Sequence, residues 1–502
     1  MNWKIIWRSL KHGDMRNRLL AVVGMMIVFR VMAHIPIPLE DPTTLGEVLD
    51  TLFTSTDGTG GLLNFLNVLS GGALANFSIM LIGLGPYINA SIIMQLLTQA
   101  IPKLEELNKE GEYGRKKINQ ITRMLALPLA VVQSIGAIVL LRQQVSSLSG
   151  VSSTSSGTLL MVIALTGGSM LLMWLGELMT EQSVGNGISL LITAGIVSTL
   201  PATIASIGTS VFSGSESITF AGRTINYNNQ SLIIALILLL IVLFTTWAVI
   251  MLNEAQRRVT INYAKRVQGN RAYGGVTTTL PIKIITAGVI PVIFAVAFLT
   301  MPSFIGQILA NNGSETVRTI AANMTEWFAT PTSQTFSQPG FTPFIYPATY
   351  FVLIVMFTYF YTSITFNAKE IAENLQKQGG FIEGVRSGAA TEKYLRNIVN
   401  RLTFFGSFSL GFIALGPIIM QIWLSTSITV GGTGVLILVA VALETLRQIE
   451  SRALMVTYDD YSSPDYFEGS EGKDDAKKSK RKWVPGLPSK KGSKVKKAKK
   501  ED

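Results

Sequence analysis

Along the 502 residues, long apolar stretches alternate with short polar ones. A window of about 19 residues picks out ten stretches apolar enough to span a bilayer. They fall near 19–35, 76–98, 124–142, 158–178, 187–208, 231–252, 284–301, 346–366, 402–422 and 432–450. The second lies within an odd run, GLLNFLNVLSGGALANFSIMLIGLGPYINASIIMQLL, from Gly61 to Leu97. That run is too long for one span, and it is broken at Ser70-Gly71-Gly72 and again at Gly85-Pro86. Irregular backbone at membrane depth survives only inside protein or beside a water-filled cavity. Two readings stay open. In one, Gly61–Leu69 is a short helix entering part of the membrane, followed by a turn and a full span from Asn76. In the other, an interfacial helix precedes an ordinary span. Breakers recur at Gly288 and Pro291 in the seventh stretch, at Gly185–Gly187 before the fifth and at Gly431–Gly434 before the tenth. Such breakers often mark transport pathways in folds built from inverted repeats. Ten spans divide into two halves of five, although no repeat is legible in the residues.

Composition agrees with a multi-span membrane protein: 48% of residues are apolar and only 15% charged, where a soluble domain carries about a quarter. The charge is unevenly placed. Five Lys/Arg fall in the first 18 residues, and six in each of the segments 103–123, 257–283 and 369–401. The intervening connections hold almost none: Arg142 at an edge, Arg223 and Arg318. Positive charge stays cytoplasmic, so both termini are expected there. The tail from Lys473 to Lys500 adds thirteen Lys/Arg with Pro485 and Pro488 and reads as disordered. It is either a solvated charge run or a contact for anionic lipid or RNA phosphate.

Several longer motifs resemble one family. They are RVMAHIPIP (Arg30–Pro38), LSGGALANFSIMLIGLGPYINASIIMQLL (Leu69–Leu97), EGEYGRKKINQITR (Glu110–Arg123), MWLGELMTEQSVGNGIS (Met173–Ser189), QRRVTINYAKR (Gln256–Arg266), LPIKIITAGVIP (Leu280–Pro291) and FNAKEIAENLQKQGGFIEGVR (Phe366–Arg386). In order and content they are similar to the bacterial SecY family, the main subunit of the protein-conducting Sec channel. The likeness runs from about Arg16 to Tyr461; the tail and the 302–343 outer segment depart from it. It implies an all-α polytopic membrane protein. Ten transmembrane helices would form two inverted five-helix halves around an hourglass pore with a half-helix plug. The parts would be a cytoplasmic amphipathic N-terminus at 1–18, a first half at 19–208 with the plug at 62–73, an outer loop at 209–230, a second half at 231–450 with cytoplasmic loops 253–283 and 367–401, and a basic, disordered cytoplasmic tail at 451–502.

The resemblance also implies site residues. The plug would carry Leu62, Phe65, Leu69, Gly71 and Gly72. A constriction of branched apolar side chains, which dewets and offers no hydrogen bonds, would use Leu84, Ile88, Ile188, Ile192, Ile293 and Ile437. Leu84/Ile88 and Ile188/Ile192 have i,i+4 spacing, which puts each pair on one helix face. Isoleucine at that spacing is far more often lipid-facing or core. A lateral gate between spans 2–3 and 7–8 would involve Asn89, Ile92, Gln95 and Thr286, though Asn89 and Gln95 could equally only glue the bundle. Docking of a SecA motor and of the ribosome would fall to Arg257, Arg258, Lys265, Arg266, Arg271 and Arg386.

The 253–283 segment reads as a hairpin in its own right. Val259, Ile261 and Tyr263 alternate with polar or small residues, and Gly269-Asn270 sits at a turn position. Expected partners are SecE-like and SecG-like small subunits, signal sequences and nascent chains, in the bacterial cytoplasmic (inner) membrane. No cofactor is expected. There is no G-x-x-x-x-G-K-[ST] loop, no cysteine and only two histidines, so any energy source is a partner and no enzyme chemistry is indicated. The rivals are an ion-coupled transporter, which usually places ionisable groups at the midplane, and a membrane insertase or scaffold without a pore.

Overall fold

A computed structural model describes residues 13–37, 72–73, 77–144, 155–212, 216–220, 223–263, 266–268, 271–273, 275, 277–309, 315–328, 341–424 and 432–462. The chain divides into two compact units, residues Asn17–Gln448 and a smaller one of Met1–Arg16 with Ile449–Asp502. The expected plug residues Leu62, Phe65, Leu69 and Gly71 lie outside the described residues, as does Lys265.

The described chain is mostly helical. In order it forms α1 (Gly13–Met32), α2 (Gly85–Ala100), α3 (Pro102–Lys109), α4 (Glu112–Gln144), α5 (Ser155–Glu181) and α6 (Gly187–Phe212). A hairpin of β1 (Glu216–Phe220) and β2 (Arg223–Tyr227) leads to α7 (Asn229–Glu254). Then come β3 (Gln256–Tyr263), β4 (Arg266–Gln268), β5 (Arg271–Tyr273), β6 (Thr277–Lys283), α8 (Ile290–Leu309), α9 (Glu315–Trp327) and α10 (Thr342–Thr365). The last are α11 (Ala368–Lys377), β7 (Gly380–Ile382), α12 (Ala389–Leu424) and α13 (Gly432–Ser462). Six of these helical segments are long and apolar enough to cross a membrane. The extreme case is α7, where Val249 alone is buried and leucine, isoleucine, Phe244 and Trp247 face outward. With lipid as the solvent that pattern is stable; in water it would not be.

Within the larger unit, α2 packs on α4, α4 on α5 and α5 on α6; α8 packs on α10 and α10 on α12. The two sets meet where α8 lies against both α2 and α4.

Three expectations need correction. The second stretch is not helical from Asn76: residues 77–84 are turns, and the helix starts at Gly85. The seventh likewise starts at Ile290, not 284. In both places the chain is apolar, but its backbone bonds are short turns (Leu81 N–H to Ser78 O, Gly83 N–H to Met80 O) and links to other segments (Ile79 N–H to Ile35 O, Ile284 N–H to Ala255 O), which hydropathy does not report. The 451–502 tail is helical as far as Ser462, because α13 continues through Ile449–Ser462 without a breaker.

Candidate functional site

The turns before α2 have every reason to be unstable in a membrane, and other elements satisfy them. Ile37 N–H donates to Phe77 O (2.8 Å), and Ile79 N–H donates to Ile35 O (3.1 Å). The exit of α1 thus forms a short bridge with this segment, Pro36 facing Ser78. Ser78 Oγ accepts from Met80 N–H (3.0 Å). From α5, the buried Ser169 Oγ donates to Gly83 O (3.0 Å). One residue earlier, a Cβ built on Gly168 would lie 2.1 Å from Ile79 O, so only glycine lets α5 come this close. Gly83 has φ 63°, a left-handed conformation that glycine adopts without strain. Pro86 then sits in the first turn of α2, where its missing N–H costs nothing.

The start of α8 repeats this device. Gly288 also has φ 63°, and Gly288-Val289-Ile290-Pro291 matches Gly83-Leu84-Gly85-Pro86 in the spacing of glycine, helix start and proline.

The turn between α5 and α6 is equally tight. Asn186 Oδ1 accepts from Ile188 N–H (3.1 Å) and caps α6. Gly187 N–H donates to Thr180 Oγ1 (2.9 Å). A Cβ on Gly187 would lie 2.0 Å from Gly176 O. At the far side, a Cβ on Gly185 would meet Thr445 Oγ1 at 3.3 Å, and one on Gly434 would meet Ile196 Cγ2 at 3.4 Å. Eleven residues separate Gly185 from Ile196, and eleven separate Gly434 from Thr445. The start of α6 and α13 therefore run antiparallel in step, and Ile437 lies about level with Thr193, next to Ile192.

Of the six expected ring residues, Leu84, Ile88, Ile192, Ile293 and Ile437 are buried and Ile188 is half-buried. Leu84 is the N-cap residue of α2, and its carbonyl accepts from Ile88 N–H (3.0 Å), so the pair still shares a face. Three of the expected gate residues, Asn89, Ile92 and Gln95, lie on α2, and the fourth, Thr286, lies in the break before α8, a helix that packs on α2 and α4. Asn89 and Ile92 are buried, and Thr286 is half-buried in the break before α8. Gln95 Nε2 donates to Ser91 Oγ (3.2 Å), while its Oε1 is buried with no hydrogen-bond partner among the described residues.

The two basic loops form one body, which sequence reading did not foresee. β3 pairs with β6 (Val259 opposite Leu280) and also with β7 (Ile261 opposite Ile382). Val259, Ile261, Ile282, Leu375, Ile382 and Leu395 share one apolar core beneath the sheet. β4 and β5 pair antiparallel, with Gln268 opposite Arg271, and the expected turn residues Gly269 and Asn270 lie outside the described residues. Arg257 and Arg258 are exposed on β3, and Arg266 and Arg271 lie on β4 and β5. Arg386 is exposed between Gly384 (φ 77°) and Gly388 (φ 96°), and its carbonyl accepts from Thr391 Oγ1 (2.9 Å). At the base of the hairpin, Arg447 of α13 pairs with Glu254 (2.5 Å) and donates to Asn253 O (3.2 Å). Burial and the nearby Arg447 hold the Lys283 ammonium below its usual pKa, with Glu444 and Glu254 opposing them. On the other half, Arg123 of α4 forks onto Glu177 of α5, Nε to Oε1 at 2.7 Å with a second Nη2–Oε2 contact.

A sequence model of the SecY family matches residues 78–446, a span that holds both glycine–proline breaks, the tight turn and the β6–β3–β7 sheet. The chain belongs to the SecY family. It is 38% identical over 465 residues to the "Protein translocase subunit SecY" of Streptomyces galbus, covering 90% of this chain and 98% of that one. The same-named protein of Corynebacterium glutamicum is 39% identical over 470 residues, and that of Thermotoga maritima 36% over 460. In Corynebacterium the coverage is 90% and 98%, and in Thermotoga 91% and 97%. Among solved structures, "The structure of a protein conducting channel" superposes with a TM-score of 0.60 at 19% identity, covering 86% of this chain and 91% of that one. "Sec61 in the Canine ribosome-channel complex from the endoplasmic reticulum" gives 0.56 at 17%, with coverage of 86% and 91%. The SecY-type fold is thus shared. Ser169 and Gly168, which hold the first break, were missed, because nothing in their local sequence distinguishes them from helix filler; Gly187 was read as a breaker, but its close approach to Gly176 was not foreseen.

Proposed function

We infer that this SecY-family chain works as the protein-conducting channel subunit of the Sec translocase. Unfolded secretory chains pass through it, and apolar segments leave sideways between α2/α4 and α8/α10. Neither an ion-coupled transporter nor a pore-less scaffold finds support among its relatives. All ten helices at the apolar windows cross the membrane, as two inverted halves with both termini cytoplasmic. Gly72 (φ 84°) ends the plug segment, and Leu84, Ile88, Ile188, Ile192, Ile293 and Ile437 form the constriction. The observation that carries this reading is the in-step pairing of α6 with α13. It puts buried Ile437 about level with Thr193, next to buried Ile192, on helices far apart in the chain.

The β3–β6–β7 sheet is the cytoplasmic docking platform for a SecA-type motor and the ribosome, through Arg257, Arg258, Arg266, Arg271 and Arg386. SecE-like and SecG-like subunits complete the assembly. Because the chain holds no nucleotide-binding loop, the partner supplies the energy and this chain supplies the path.

The test is Ile437→Asn. A buried amide without a partner costs roughly 1 to 3 kcal/mol, and only the hydrated, open pore relieves it. Export of a reporter with a charged residue in its signal core is expected to rise, while Ile437→Leu leaves it unchanged. An equally stable Ile437→Asn variant with no gain would make Ile437 a packing residue and remove it from the constriction.

A further inference from the structure

The segment joining α8 to α10 is polar overall, yet it contains α9. One face of α9 is docked: Val317, Ala321, Met324, Thr325 and Phe328 are buried or half-buried. The dock is close, since a Cβ built on Gly306 of α8 would lie 2.8 Å from Ala321 O and 2.7 Å from Thr325 Oγ1. At about 100° per residue, the exposed Glu315 and Glu326 fall on the far side from the dock, with the exposed Arg318 at the edge between that side and Thr325. Between the two faces lies a third stripe. Ile320 and Trp327 are seven residues apart, within roughly 20° of each other around the helix, and are 58% and 40% exposed.

Apolar side chains scattered singly on a surface need no explanation. These are not scattered. Ile305 beside the Gly306 dock and Phe298 one stripe position below it are both exposed on α8. Where the chain returns at the start of α10, Phe341 is 89% exposed and Phe344 also faces outward, continuing as Val352 and Met356. The outward stripes of α8 and α10 are the lipid-facing surfaces of spanning helices, and the α9 stripe is held against the end of α8 that leads into it. A docked face, an apolar flank with a tryptophan and a charged far side is the pattern of a helix lying in the membrane interface.

We propose that α9 is an in-plane interfacial helix whose Ile320–Trp327 stripe beds in the outer-leaflet headgroup–acyl boundary and anchors the outer end of α8 to the lipid surface. This rests on the reading of α8 as a spanning helix with its C-terminal end outward. Because α9 is seated on α8 through Gly306, any outward swing of α8 drags an amphipathic helix across the interface. The lipid surface is then a direct partner of that motion.

The chain has no cysteine, so single-cysteine variants report one site each. Ile320→Cys, Trp327→Cys, Thr319→Cys on the charged side and Phe298→Cys on α8 are spin-labelled in the full chain, reconstituted in phosphatidylethanolamine/phosphatidylglycerol vesicles. Collision with oxygen, which concentrates in lipid, is compared with collision with a water-soluble nickel chelate. The expected oxygen-to-nickel ratio at 320 and 327 is several-fold above that at 319 and below that at 298. Ratios at 320 and 327 equal to 319 overturn the proposal in favour of water. Low collision with both reagents at 320 and 327 overturns it in favour of a covering protein. An aqueous ratio at 298 overturns the spanning reading of α8, and the proposal with it; a lipid ratio at 298 with an aqueous one at 320 defeats the proposal alone.

Discussion

Replacing Ser169 with alanine removes one hydroxyl and adds nothing, so its consequence can be worked from the structure. The Oγ donates to Gly83 O at 3.0 Å, and both residues are buried. Without the hydroxyl that carbonyl has lost a partner in a dry place, at a cost of roughly 1 to 3 kcal/mol. The cost falls on the arrangement that holds Gly83 against α5. A loosened state in which water reaches the 77–84 turns escapes it. At 1.36 kcal/mol per decade, the loosened state gains about 5- to 150-fold in population. Leu84 adjoins Gly83, so the loosening reaches the proposed constriction directly. Two measurements check this: ion leak through proteoliposomes holding the purified channel, and amide exchange across 79–88. Ser169→Ala is expected to raise both, while Ser169→Thr, which keeps the donor, stays near wild type in leak. Unchanged leak and unchanged exchange would show that the bond does not hold the break closed. Faster exchange throughout the chain would mean that Ser169 supports the fold as a whole and has no local role.

Other outcomes follow from the same geometry. Gly168→Ala forces a methyl to 2.1 Å from Ile79 O; such a clash with backbone is expected to cost several-fold in folded yield, read by detergent-extracted monomer, whereas Gly167→Ala, with nothing within 4 Å, is tolerated. Arg386→Glu reverses an exposed charge on the docking platform and is expected to slow motor-driven translocation several-fold at unchanged abundance; wild-type rates in vitro would remove Arg386 from the contact. Arg447→Glu breaks the pair with Glu254 and sets two carboxylates together. Translocation is expected to fall and to recover in the Glu254→Arg, Arg447→Glu double variant, and failure of that rescue would mean the pair does not couple the hairpin to α13.

Much of this architecture was visible in the chain. Each of the ten apolar windows contains a helix, because runs of about twenty apolar residues have few other stable outcomes. The β3–β6 pairing was legible from the alternation of Val259, Ile261 and Tyr263 with polar or small residues. What stayed hidden is tertiary. The helix that was expected from Asn76 starts at Gly85 because Ile35, Ile37 and Ser169 hydrogen-bond the backbone between, and no window sees partners that distant. β7 is three residues long and is a strand only because β3 offers an edge. The apolar face of α9 (Val317, Ala321, Met324, Phe328) has helical period, but a 19-residue average over a polar segment erases it. The ring residues could be named only through the family. As isoleucines they carry no mark, and it was the glycine contacts of α6 with α13 that set two of them level.

The docking sheet also has a schedule. β3 and β6 are made together, but the strand that completes the sheet, with Phe381 opposite Asn262, comes about 120 residues later. Everything between, including α8 and α10, must be synthesised first. At about 5 to 20 residues per second, the edge of β3 stays open for roughly 6 to 24 s. During that interval Ile261 and Val259 lack the cover that β7 and α12 later provide. A half-made chain therefore cannot present the finished three-stranded sheet, and the proposed docking platform is complete only after α8 and α10 have been delivered.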